Sequence, residues 1–240
     1  MSYESQTYHS QIYRNFRNID VGEFRHIVRY YERYEKDILQ LEFEEYVELL
    51  VTYTHALFEI GEYRKHLLMA DVVIRTSIVQ NVTSVRGKEI YHATLFRKAA
   101  SHYNLREYSQ AKHILEELIK MNPYNALSVH FLGRVMRDNK PRYLRNTNAA
   151  SVFLFLISAL AICIEVLIVK NFYPVYASVI EIFRTTLFIS GIVLLFSSEL
   201  WHRCKVYCYV QNFKENVKKY KKMKALKELT SKKRDKYTID

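Results

Sequence analysis

Ionisable residues lie inside two stretches of sequence that are otherwise almost entirely apolar, Glu165 in the first stretch and Glu181 and Arg184 in the second. Glu165 is the single charged residue between Ser151 and Val169, and Arg184 is followed by an uncharged run from Thr185 to Ser198. A charge in hydrocarbon is costly, so each residue is expected to be paired, and an intramembrane charge is a functional candidate by default. Three interpretations stay open: an ion pair within one hairpin, a contact between subunits of an oligomer, and the lining of a water-filled pore.

Cysteine and histidine give weaker chemical signals. The three cysteines are Cys163, inside the first apolar stretch, and Cys204 and Cys208, just after the second. This small number indicates a reducing compartment and no disulfide framework. Cys204 and Cys208 are one helical turn apart beside His202, which allows lipid modification or metal binding, but two thiols and one imidazole leave a tetrahedral metal site incomplete. We therefore expect both cysteines to be small packing residues, and we expect no metal and no cofactor.

Two segments are apolar enough and long enough to cross a lipid bilayer. The first runs from Ser151 to Val169 and the second from about Val175 to Leu200. At about 1.5 Å per residue, the first segment spans roughly 28 Å as a helix, which matches the hydrocarbon thickness of a membrane. The connector between them is short, so the sequence predicts a two-helix transmembrane hairpin over residues 149–200.

Basic residues flank this hairpin on both sides. The chain has a net charge of +11; residues 134–145 carry five basic side chains and one acidic, and residues 203–240 carry thirteen basic and four acidic. Cytoplasmic flanks of membrane proteins are enriched in Lys and Arg, so both termini are predicted to be cytoplasmic, in a multi-pass protein of a bacterial inner membrane. Nucleic acid is not expected as a partner, because the excess charge lies outside the N-terminal part of the chain.

The N-terminal part of the sequence contains a repeat. With five glycines and three prolines in 240 residues, a Gly-rich nucleotide loop and a turn-rich β fold are excluded, and an all-α chain is expected. The sequence Gly22-Glu23-Phe24 recurs as Gly61-Glu62-Tyr63 and more loosely as Arg106-Glu107-Tyr108. Each copy follows one amphipathic helix and opens another, with the glycine expected in the left-handed conformation that ends a helix. A period of about 40 residues, with an insertion around residues 83–88, indicates an α-solenoid.

The segment from about His92 to Asn125 resembles a tetratricopeptide repeat, and the likeness extends more loosely over residues 5–137. In that family the first helices of successive repeats line a concave groove that holds a peptide or a partner helix. The resemblance therefore implies a protein partner, although Phe96 and Tyr103 also suit packing between repeats. The residues that carry the likeness are Leu95, Ala99, Tyr103, Tyr108, Ala111, Leu115, Leu118 and Leu132-Gly133, and the groove positions are Phe96, Tyr103, Asn104, His130 and Arg134.

A second resemblance concerns catalysis. The run from Arg97 to His102 is similar to the Arg-x4-His pattern of the HEPN ribonucleases, in which an Arg and a His on one helix cleave RNA. That likeness implies that Arg97 and His102 are catalytic. Lys98 departs from the family pattern, which has a polar amide or a His at this position, and the same stretch fits the first helix of a tetratricopeptide repeat. We therefore expect no enzymatic activity.

The tail after residue 200 is predicted to continue the second span as a helix. Alternating spacings of four and three give a coiled-coil seam of Val206, Val210, Phe213, Val217 and Tyr220. Near its end is a basic cluster that is expected to face anionic lipid: Lys218, Lys219, Lys221, Lys222 and Lys224.

The expected organisation has four parts: a tetratricopeptide-like cytoplasmic domain over residues 1–137, a basic linker over 138–148, the hairpin over 149–200 and the basic helical tail over 201–240. The leading functional hypothesis is a membrane-anchored scaffold that recruits a protein partner as a homo-oligomer. The alternative is a pore-forming effector of a bacterial antiviral system, gated by its cytoplasmic helical domain. A HEPN-like ribonuclease is the third hypothesis.

Overall fold

The computed structural model describes residues 11–82, 84–85, 88–169 and 177–236, and within them the chain is all-α, as the sequence predicts. It divides into two compact units, Met1–Val135 and Met136–Asp240. Two antiparallel strands of two residues each lie at the predicted insertion, with Ser84 paired to Glu89. The elements of the first unit are α1 (11–17), α2 (Phe24–Arg33), α3 (Glu35–Ile38), α4 (Phe43–Glu59), α5 (Tyr63–Val79), β1 (Ser84–Val85), β2 (Lys88–Glu89), α6 (Ile90–Asn104), α7 (Tyr108–Met121) and α8 (Ala126–Asp138), whose last turn lies beyond the unit boundary.

Consecutive helices of the first unit pack on one another, α2 on α4, α4 on α5, α5 on α6 and α6 on α7. The sequence dictates this because each long helix has an apolar stripe at helical spacing. In α7 the buried residues are Ala111, Leu115, Leu118 and Ile119, which lie on one face. Ala99 of α6 is also fully buried, so small residues let neighbouring helices approach closely. Burying each large aliphatic side chain contributes about 1.5–3 kcal/mol.

Three of the turns between helices share one backbone conformation. Gly61, Asn81 and Arg106 all have positive φ, at 85°, 54° and 62°. In each case the next residue donates its backbone N–H to a carbonyl five residues earlier, as in Glu62 to Leu57 at 3.0 Å and Glu107 to His102 at 2.8 Å. This hydrogen-bond pattern is the Schellman motif, which satisfies carbonyl groups left open at a helix end.

Gly22 behaves differently from the other two copies of the repeat. The residue after it, Glu23, has nearly the same dihedral angles as Glu62 and Glu107, with ψ of 58°, 59° and 60°. Gly22 itself is not in the left-handed region, so the expectation for this glycine is wrong. The physical reason is the longer loop after α1, which closes through a hydrogen bond from Glu23 N–H to Asp20 C=O at 2.9 Å.

The second unit contains a pair of antiparallel helices. The first, α9 (Arg142–Ile164), continues as a π-helical turn over Glu165–Val169, and the second, α10 (Ala177–Lys236), is an unbroken helix of 60 residues. Both are long and apolar enough to cross a membrane, and only 17% and 6% of their most apolar windows are buried within the structure. A core helix of a water-soluble domain would be mostly buried, so these apolar faces need another apolar environment.

The contact between α9 and α10 uses small residues. The buried positions of α9 and of the π-helical turn that continues it are seven residues apart, at Leu144, Ser151, Ser158 and Glu165. Gly191 of α10 lies so close to Phe155 of α9 that an added Cβ would be 2.7 Å from the ring. A glycine at this place permits the close approach that is typical of packed membrane helices.

Candidate functional site

An apolar cavity of about 240 Å³ opens on the first unit, between α1, the loop after it, α2, α4 and α6. A second cavity of about 340 Å³ continues along α6 towards Phe58 of α4 and Leu127 of α8. The two cavities share Ala93 and Arg97, and we refer to them together as the groove. Most of its wall is apolar, and it includes Phe16, Ile27, Val51, Phe58, Ile90 and Phe96.

Arg97 is the polar centre of the groove. Its side chain is half-buried, and it makes no hydrogen bond or ion pair with any residue that the structure describes. Burial lowers the pKa of the guanidinium below its ordinary value, an effect that the carboxylate of Glu59 opposes. An arginine stays protonated in proteins even so, which leaves a partly desolvated cation facing an apolar cavity. Such a group favours an anionic ligand.

The five groove residues expected from the sequence do not converge on one cavity. Phe96 and Tyr103 pack on Phe131 of α8, with ring centroids 5.5 and 5.4 Å apart, and Phe96 also lines the groove. Asn104, His130 and Arg134 are exposed, and none of them lines either cavity. The aromatic pair therefore contributes to packing between helices.

The sequence did not predict several residues that line the groove. Phe16, Val51 and His55 belong to helices that the family likeness covers only loosely. Their common wall depends on how α1 and its loop close over α4, which no local pattern encodes. The prediction came near the centre of the groove, because Arg97 directly follows the predicted groove residue Phe96 on α6.

The nuclease hypothesis requires Arg97 and His102 to face one site. His102 Nδ1 is instead hydrogen-bonded to Glu107 Oε2 at 2.6 Å, at the turn into α7. His102 lines neither of the two cavities of the groove, whereas Arg97 lines both. Arg97 and His102 therefore do not share either of the two cavities that form the groove.

A buried Ser–His pair lies between α5 and α6. Ser101 Oγ is 2.8 Å from His66 Nδ1, both side chains are fully buried, and His66 Nε2 has no hydrogen-bond partner among the described residues. Burial lowers the pKa of His66 to about 4, and nearby cations, Arg97 foremost, act in the same direction. A nucleophile and base at this distance would suit acyl transfer. No substrate can reach them, so the pair is structural.

In the second unit, Glu165 and Arg184 form an ion pair. Arg184 Nη1 donates to Glu165 Oε2 at 2.7 Å, and Arg184 Nη2 lies 3.9 Å from Glu181 Oε1. The Glu165 side chain is 4% exposed and that of Arg184 is 27% exposed. Glu165 is also the first residue of the π-helical turn, and such turns are frequent at functional sites.

The packing role expected for Cys204 and Cys208 is wrong, because both cysteines are exposed, as is Cys163. The buried residues of this stretch are His202, Val206 and Val210, spaced by four. A cysteine two positions away on a helix lies about 200° around the axis, on the opposite face. Among the described residues, no group of three His, Cys, Asp or Glu could hold a metal ion.

The predicted seam of the tail is buried only in its first part. Val206 and Val210 are buried, Phe213 and Val217 are half-buried, and Tyr220 is exposed. In the basic cluster, Lys218 pairs with Glu215 at 3.0 Å, whereas Lys219, Lys221, Lys222 and Lys224 are exposed. Because α10 is unbroken and advances about 1.5 Å per residue, Lys218 lies about 25 Å beyond Trp201 along the helix axis. Contact of these lysines with lipid stays a prediction.

No known protein family, curated protein or solved structure matches the chain.

Proposed function

We propose that this chain is a membrane-anchored adaptor. Its N-terminal unit, a tetratricopeptide-like array of helices, binds a segment of a protein partner in the groove, and α9 and α10 hold the chain in a membrane with both termini in the cytoplasm. The observation that carries the proposal is Arg97, a half-buried cation in the wall shared by two apolar cavities, with the Glu59 carboxylate near enough to act on its pKa.

The chemistry of the groove defines the partner segment. Apolar walls bury aliphatic or aromatic side chains, and a buried aromatic or aliphatic anchor supplies much of the affinity of small interfaces. Arg97 would bind a carboxylate, either an acidic side chain or a chain end, through a charge-assisted hydrogen bond that is stronger than a neutral one. His55 and Thr94, which line the first cavity, would add polar contacts to the partner's backbone. A short apolar segment with one acidic group fits this description.

The apolar helices support the anchor. Their exposed side chains include Val152, Phe153, Leu156, Phe188 and Phe196, which water would hydrate unfavourably. The pairing of Glu165 with Arg184 inside one hairpin neutralises both charges, so neither requires a water-filled pore. This supports an anchor rather than a channel.

The adaptor is tested by quantitative affinity purification of the detergent-solubilised full chain. We compare the natural sequence with Arg97→Gln and with Arg64→Gln, a variant that removes one exposed cation outside both cavities. Loss of a charge-assisted contact costs about 1.5–3 kcal/mol, so a true partner should be depleted about tenfold or more by Arg97→Gln and retained by Arg64→Gln. If the same proteins are recovered with both variants in equal amounts, the groove is not the binding site.

A pore-forming effector is the second candidate, and the observation that favours it is the Arg184 side chain, which stays 27% exposed within the apolar helices although it is paired. In a homo-oligomer, Glu165 and Arg184 of neighbouring copies could exchange partners and line a path for ions. Induction of the protein would then depolarise the membrane, and Glu165→Gln with Arg184→Gln would abolish the effect. An unchanged membrane potential after induction favours the adaptor.

A further inference from the structure

A basic cavity lies where the first membrane helix begins. It has a volume of about 200 Å³ and is lined by Lys140, Arg142, Arg145 and Asn148. None of the three cations makes an ion pair with any residue that the structure describes, and all three are exposed. Three neighbouring positive charges repel one another, so a cavity of this kind is more stable with an anion in it.

The position of the cavity along α9 indicates which anion would be nearby. Arg145 precedes Ser151, the start of the apolar stretch, by six residues, or about 9 Å of helix. At the same level, Tyr143 contacts His202 of α10, with ring centroids 6.5 Å apart, and Lys205 Nζ lies 5.9 Å from the centre of the Tyr143 ring. Both helices therefore leave the apolar region at this level, where the phosphates of a bilayer lie.

The surface next to the cavity is suited to an acyl chain. Arg145, Ala149, Val152 and Leu156 are spaced by four, three and four residues, so they lie on one face of α9, and all four are exposed. A cation followed by an apolar stripe on one helix face matches a phospholipid, with its phosphate at the cavity and its chain along the stripe. Free phosphate would use the cations alone.

We propose that this cavity binds the phosphate group of an anionic phospholipid. The proposal rests on the membrane anchor proposed above. Arg142 and Arg145 donate to the phosphate oxygens, for which the planar guanidinium is well suited, Lys140 adds a point charge, and Asn148 supplies an amide donor. Anionic lipid would then occupy a defined place beside the hairpin as well as the diffuse layer that any basic flank attracts.

The single tryptophan, Trp201, makes the test direct, because its neighbour His202 contacts Tyr143, which follows Arg142 in the chain. The full chain is reconstituted in phosphatidylcholine vesicles that contain a minor fraction of phosphatidylglycerol. Quenching of Trp201 fluorescence is compared when the bromine label is carried by one lipid or by the other. Each cation that contacts the lipid should favour phosphatidylglycerol over phosphatidylcholine by about 1 kcal/mol, or about fivefold. We expect this preference to vanish in Arg142→Gln with Arg145→Gln.

The matched control is Arg64→Gln with Arg75→Gln, which removes the same charge from exposed positions of the first unit and should keep the preference. Equal quenching by both lipids in the natural chain overturns the site while leaving the anchor intact. Loss of the preference in the control variant, or on addition of excess inorganic phosphate at constant ionic strength, also overturns it, the latter by identifying free phosphate as the ligand. Absence of quenching by either lipid overturns the anchor itself.

Discussion

At the scale of single residues, His66 shows how burial controls charge. The imidazole is fully buried, its Nδ1 contacts Ser101 Oγ at 2.8 Å, and several cations lie nearby. These surroundings disfavour the protonated form, so the pKa of His66 falls from its ordinary 6.5 to about 4. Because its Nε2 has no hydrogen-bond partner among the described residues, the imidazole is a buried polar group that the fold must accommodate.

This burial predicts acid sensitivity. Between pH 6.5 and pH 4 the unfolded chain binds a proton at His66 and the folded chain does not, so the free energy of unfolding falls as the pH is lowered through that window. At about pH 5 the loss should be about 2 kcal/mol relative to neutral pH. Denaturant unfolding of the detergent-solubilised chain at the two pH values measures it.

The variant that tests this cause is His66→Leu with Ser101→Ala, which removes both partners and leaves no buried group unsatisfied. It should lose the pH dependence attributed to His66 while retaining stability at neutral pH. His113→Gln, a change of an exposed histidine, should keep the dependence of the natural chain. If the double variant is as acid-sensitive as the natural chain, the titrating group lies elsewhere.

The ion pair of Glu165 and Arg184 leads to a second prediction at this scale. Replacing one partner, as in Arg184→Gln, leaves the buried Glu165 carboxylate without its counter-ion and should destabilise the hairpin by about 3–5 kcal/mol. Replacing both, with Glu165→Gln and Arg184→Gln, should recover most of this loss. Thermal unfolding in detergent of the two single variants and the double variant measures the coupling, and additive losses would contradict a direct pair.

At the scale of elements, the turns between helices carry a testable cost. Arg106 occupies the left-handed position that Gly61 occupies in the turn after α4, with φ of 62° against 85°. A side chain other than glycine is strained there by about 1 kcal/mol. Arg106→Gly should therefore raise the free energy of unfolding by about 0.5–1 kcal/mol, and Gly61→Ala should lower it by about 1 kcal/mol. Chemical unfolding measures both changes. If the two substitutions change the free energy of unfolding in opposite directions, the turns share one geometry, and changes in the same direction would contradict this.

The same elements show what a sequence can predict. The helical period and the repeat follow from local spacing. The pairing of Glu165 with Arg184 within one chain is one of three interpretations that the sequence leaves open, and spacing alone does not choose among them. Local spacing did not predict which face of α10 is buried and which is exposed. Cys204 is exposed and His202 is buried, which depends on the contact of His202 with Tyr143, 59 positions away in the chain. The groove was missed for the same reason, since its walls come from helices distant in sequence.

At the scale of the whole molecule, charge and hydropathy are distributed along the chain in blocks. The apolar stretches of α9 and α10 are exposed, and the excess of positive charge lies in the two segments that flank them. If the hairpin crosses a membrane, this asymmetry predicts its orientation, because translocating many Lys and Arg residues is unfavourable. The groove and the basic cavity then face the same compartment, since both precede the first span in the sequence.

The three cysteines allow this orientation to be measured without adding a reporter. Cys204 and Cys208 follow the second span and are exposed, so a membrane-impermeant maleimide should label them in inverted vesicles and not in intact cells. Cys163 lies within the first span and should resist the reagent in both preparations, because hydrocarbon excludes a charged molecule. In Cys163→Ser, only Cys204 and Cys208 remain to be labelled, and in Cys204→Ser with Cys208→Ser, only Cys163 remains. Labelling of Cys204 in intact cells would reverse the orientation, and release of the chain from membranes by alkaline carbonate would show that the hairpin does not span the bilayer.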